Sequence, residues 1–163
     1  MRTGDKVIIS ILLAGLACVV SAAPAGLPHD EFMPPDRHAI RQDRPDQVLM
    51  QVDNYRITAA IESRQVSVGR MQESSLWLFL EGRSVLTGDS LRQVRVGFVE
   101  AADNLPPARY DAASQLLTLY YPRGYLPTLT GILNGPGPHF VQARFHGNGT
   151  VWADIHAGPV RTQ

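Results

Sequence analysis

The 163-residue chain has a single cysteine, Cys18, and a single lysine, Lys6, both near its start. Past Cys18 nothing can form an internal disulfide, act as a cysteine nucleophile or hold a cysteine-ligated zinc. Past Lys6 there is no Schiff-base lysine and no phosphate-loop lysine. Excess charge is missing too. Lys+Arg and Asp+Glu both number 15, so there is no basic footprint for nucleic acid and no acidic field. No Gly-x-Ser-x-Gly elbow and no His-Glu-x-x-His pair occurs. No internal repeat is visible, and no long segment carries a helical apolar period. The main apolar run, Val7 to Val20, is about fourteen residues long, short of the roughly 18 to 20 that span a bilayer.

What is present at the start is a three-part export pattern. Arg2 and Lys6 form a positive head, Val7 to Val20 the apolar centre, and Ser21-Ala22-Ala23 the small residues a signal peptidase cuts at. Residues 1–23 are therefore expected to be a signal peptide, which places the protein in the periplasm or outside the cell. Pro24 disfavours a cut after Ala23, so the cut is expected after Ala22. Cleavage would remove Cys18 and Lys6 together and leave about 140 residues, enough for one domain. It would also leave 13 basic and 14 acidic residues, every basic one an arginine. Gly15-Leu16-Ala17-Cys18 is a distorted form of the bacterial lipoprotein box. The alternative is therefore a lipoprotein, and membrane contact is expected only through a lipid on Cys18 or an uncleaved signal.

Residues 24–46 are rich in proline and charge and read as a flexible arm, with Phe32, Met33 and Ile40 as apolar points that could dock. From Gln47 the pattern alternates. Val48, Met50 and Val52 share one parity; Tyr55, Ile57, Ala59 and Ile61 share the other. With Asp53-Asn54 between them, residues 47–62 predict a hairpin. Val66 and Val68 mark a further short strand. Leu76 to Leu80 is apolar on both parities and reads as a strand covered on both faces. Val94, Val96 and Phe98 mark a strand with one wet face, and 115–121 another. Residues 122–138, with four prolines and four glycines, predict a long surface loop. The domain at 47–163 is expected to be all-β: a single antiparallel β-sandwich or a partly open barrel of about seven or eight strands.

The sharpest local signal is the last hairpin. A three-residue Gly147-Asn148-Gly149 loop pairs Phe145 with Val151, Ala143 with Ala153 and Val141 with Ile155, putting every apolar partner on one face. The other face then presents Phe140, Gln142, Arg144, Trp152, Asp154 and His156, with Arg144 opposite Trp152. That mixture suits recognition of a protein or glycan. It is the predicted binding face of an exported, non-catalytic accessory, inhibitor or assembly subunit, whose partner is another envelope or secreted protein. No cofactor is expected. Two alternatives compete. Asp154 and His156, two apart on one strand face, could share a metal ion, with further ligands from His139, His29 or His38. A hydrolase with an unrecognised site is the other, although Ser114, Asp154 and His156 form a triad only by arbitrary assembly. Tyr110, Tyr120, Tyr121 and Tyr125 cluster in sequence and could line a groove.

Overall fold

In a computed structural model, residues 27–41, 43–60, 76–100 and 105–158 are described. The expected signal segment and the strand expected at 65–69 lie outside them. The chain divides into two units, Met1–Pro34 and Pro35–Gln163. In the first, a single 3-10 turn at Asp30–Phe32 sets the His29 and Phe32 rings 5.5 Å apart.

The second unit is all-β, as the alternation predicts. Seven strands form a single mixed sheet curled into a half-barrel. They are β1 (Asp46–Ala59), β2 (Leu76–Ser84), β3 (Gln93–Val99), β4 (Arg109–Asp111), β5 (Leu116–Pro122), β6 (His139–Phe145) and β7 (Val151–Ala157). Their order across the sheet is β4-β5-β3-β2-β1-β6-β7. Of the two expected architectures it is the partly open barrel that forms. Every pair is antiparallel except β3 and β5, which run parallel. The core lies on the concave side. Val48, Met50, Leu78, Leu80, Val94, Val96, Phe98, Leu117, Leu119, Val141 and Ile155 meet there from six strands.

Two expectations are corrected. The 47–62 hairpin does not exist, because β1 runs straight through Asp53-Asn54. Before that point Val52 pairs with Gly82, and after it Asn54 pairs with Glu81, so Asp53 is the extra residue of a β-bulge. A bulge reverses side-chain parity just as a tight turn does, and the sequence pattern is the same for both. The 122–138 loop is also more ordered than expected. A 3-10 turn at Arg123–Tyr125 leads into helix α1 (Leu126–Leu133). Pro127 sits in the first helical turn, where its missing N–H costs nothing. Leu129 and Leu133, one turn apart, bury against the core.

The last hairpin forms in the expected register, Phe145 to Val151, Ala143 to Ala153 and Val141 to Ile155. The His146 N–H donates to the Thr150 carbonyl and the Gly149 N–H to the His146 carbonyl. Gly149 has φ +84°. This is a three-residue loop closed by a left-handed glycine. Residues just before β1 are tied to it. Asp43 accepts hydrogen bonds from the Gly147 N–H (2.6 Å) and faces His146 Nδ1 (3.1 Å), and Asn148 Nδ2 donates to the Ile40 carbonyl.

Candidate functional site

The six residues expected to form a binding face do lie together. Cross-strand registers align them in three rows: Gln47–Arg144–Trp152, Leu49–Gln142–Asp154 and Gln51–Phe140–His156. Asp154 is the centre. Its carboxylate accepts from Gln142 Nε2 (2.9 Å) and Trp152 Nε1 (2.9 Å) and pairs with His156 Nδ1. Gln47 Nε2 in turn donates to Gln142 Oε1 (3.0 Å), and the Phe140 and His156 rings stack.

This predicted binding face is not an exposed surface. Gln142 is wholly buried, and Phe140, Arg144 and His156 are under a tenth exposed; only Trp152 and Asp154 are half-buried. Alternation separates the two faces of a strand but does not say whether the second is covered. Asp154 and His156 face each other, and each carboxylate oxygen of Asp154 already has a partner within the grid. Among the described residues no three His, Cys, Asp or Glu side chains converge on one point. Ser114 gives its hydroxyl to Asp111 in its own turn, so it does not join Asp154 and His156.

The rim of this network opens on a cleft of about 830 Å³ where the barrel fails to close. One wall is β5 at Leu119, Tyr121 and Pro122. The floor is α1 and the turn before it, at Tyr125, Leu129 and Ile132. The other wall is β7 from Val151 to Ile155. Among the described residues Asp154 is the only charged one lining it. Tyr121 and Tyr125 place their rings 5.8 Å apart, tilted by 53°. Burial pushes the Tyr121 phenol well above its ordinary pKa, and the charge of Asp154 and the Tyr125 hydroxyl add to the rise. Tyr121 is thus a neutral hydroxyl on an apolar wall at any physiological pH.

Among the described residues both flanking strands meet the cleft with an open edge. β4 covers β5 only from Leu116 to Thr118, so Leu119 to Pro122 lie beyond it. Among the described residues β7 pairs with β6 alone. The bonds from His146 N–H to Thr150 and from Gly158 N–H to Pro138 fix which pairs of this hairpin exchange hydrogen bonds. By alternation the 144/152, 142/154 and 140/156 pairs do, and the 143/153 pair does not. Val151, Ala153 and Ile155 therefore point their N–H and C=O groups away from β6, along the outer edge, while their side chains line the cleft.

Sequence reasoning located Trp152 and Asp154 and noted that Tyr121 and Tyr125 could line a groove. It missed α1, whose signal was Leu126, Leu129 and Leu133 at helical spacing with Pro127 in the first turn. It also missed the unpaired edge of β7, because strand order is not written in the pattern of any one strand. No family model, no curated protein and no solved structure matches the chain.

Proposed function

We propose that this protein is an exported, non-catalytic binding subunit of the cell envelope, periplasmic or secreted, serving another envelope or secreted protein as an accessory, inhibitor or assembly factor. Its partner docks an extended segment along β7, adding an eighth strand to the half-barrel. The observation that carries this reading is the outward row of N–H and C=O groups at Val151, Ala153 and Ile155 beside an apolar cleft. Main-chain pairing of this kind supplies affinity, and pockets for alternate side chains supply selectivity. An unprotected edge of seven residues with no proline and no lysine is otherwise an aggregation hazard that proteins cover or blunt. The Asp154 network supports the same role from the other face, because it holds β7 in one register and sets Trp152 and Asp154 at the rim.

Ala153→Pro tests this directly. It removes an outward N–H and none of the β6–β7 bonds, so the fold is expected to survive. A photo-crosslinking residue at exposed Thr128, on the cleft floor, is expected to give one dominant adduct with an envelope protein in cells. Ala153→Pro is expected to abolish that adduct. An unchanged adduct in that variant would count against strand addition.

A further inference from the structure

The convex face of β1, β2, β3, β5 and β4 carries a second constellation, which borders the cleft at Tyr120. Registers place Arg56 opposite Phe79, Phe79 opposite Arg95, Arg95 opposite Thr118 and Thr118 opposite Arg109. This is a single row of directly paired residues across five strands. Neighbouring strands lie about 4.8 Å apart, so the Cα atoms of the three arginines recur at roughly 10 Å. The next row runs Thr58–Trp77–Gly97–Tyr120. The Trp77 and Tyr120 rings stand 6.2 Å apart at 63° and lean over Gly97, where a Cβ would strike both.

Arg95 ties the two rows together, its guanidinium 5.1 Å from the Trp77 ring centre, while that of Arg56 lies 4.7 Å from the Phe79 ring centre within the first row. Such contacts fix the direction of a cation that would otherwise wander. The Arg95 Nε hydrogen has no acceptor among the described residues. On the far side of the arginine row the acids are Glu81, a loose 3.8 Å partner of Arg56 with both side chains more than half exposed, and Asp111, which is turned to Ser114 and the Ala113 N–H. In a chain of no net charge, the described residues of these rows carry three arginines against two carboxylates.

We propose that this face binds an acidic polysaccharide. Sugar rings lie with their C–H faces on Trp77 and Tyr120, whose π faces are negative. Carboxylates borne on regularly spaced sugars pair with Arg56, Arg95 and Arg109, guanidinium being the cation that matches a carboxylate two-pronged. Aromatic rings alone would suit a neutral sugar and arginines alone any polyanion; the two interlocked rows select a chain that is both.

Affinity electrophoresis of the purified protein tests it, with polygalacturonate, neutral dextran and poly-glutamate each cast in the gel. Polygalacturonate is expected to retard the protein strongly at low salt and less as salt rises, since exposed charges are screened. Dextran and poly-glutamate are expected to retard it at least tenfold less. The double variant Arg56→Gln, Arg109→Gln alters two exposed side chains, so it is expected to keep the wild-type melting temperature and lose at least tenfold in apparent affinity. Ala153→Pro is expected to bind polygalacturonate as wild type does. Retardation by poly-glutamate as strong as by polygalacturonate overturns the polysaccharide assignment. So does absence of retardation by polygalacturonate, or full retardation of the double variant.

Discussion

Two glycines show how much a single hydrogen atom decides in this sheet. A Cβ at Gly82 would overlap the backbone carbonyl of Gln51, at the point where β1 bulges toward β2. Backbone cannot move aside as a side-chain tip can, so Gly82→Ala is expected to cost 3 kcal/mol or more, at the upper end of overpacking effects, about 1 to 3 kcal/mol. Gly131 lies inside α1 with open space around it. Gly131→Ala is expected to stabilise by about 0.5 to 1 kcal/mol, the helix preference of alanine over glycine. Urea denaturation of the two variants checks both signs at once. Asp43 offers a pH test. The Gly147 N–H, then the His146 side chain, hold its carboxyl below the usual value of 3.8. A carboxyl depressed in the folded state contributes stability above its unfolded pKa and loses it as pH falls through the folded one. In an NMR titration the Asp43 carboxyl is expected to have its midpoint below 3.8, with the Gly147 amide signal moving on the same curve. A Gly147 signal that ignores the titration would break the assignment.

At the scale of elements, α1 and the last hairpin make opposite lessons. The hairpin was legible because its register is overdetermined: only one pairing keeps Val141, Ala143, Phe145, Val151, Ala153 and Ile155 on one face. Helix α1 was hidden by the prolines and glycines in and around it, since composition marks a loop even where eight residues can form two turns. Leu129 is 3 % exposed. Leu129→Ala is expected to cost about 2 to 5 kcal/mol, the range for a truncated buried leucine. The check is a fall in denaturation midpoint at constant slope. A negligible change would mean that α1 is not seated on the core. In the hairpin, Asp154 accepts from Gln142, Trp152 and His156. Asp154→Ala removes the acceptor these three donors share and is expected to cost about 1 to 3 kcal/mol, more than a surface carboxylate would.

For the whole molecule, the sheet is sewn by long-range pairings. β1 pairs with β6, so that Asp46 meets Phe145, and the parallel β3–β5 pair needs a crossover that β4 sits within. Loop closure must come before such contacts form, which makes this a slow topology, with refolding expected on the millisecond to second scale rather than in microseconds. Stopped-flow refolding monitored by tryptophan fluorescence checks it. With one cysteine in the sequence, no intramolecular disulfide is available, and the melting temperature is expected to be the same with and without reductant.

The sequence by itself determined the alternation that makes strands, the register of the last hairpin and the list of chemistries excluded by having one cysteine and one lysine. These are local or compositional facts, and a period of two or a missing thiol needs no tertiary context. Only the tertiary structure decided the rest: that β1 bulges instead of turning, that the hairpin's second face is buried, that β7 ends the sheet with its edge to a cleft, and that Arg56, Arg95 and Arg109 fall into one row. Each depends on which strand lies beside which. Those neighbours are set by packing between different strands, from Arg109 against Thr118 to Asp46 against Phe145, and no pattern within a single strand carries that information.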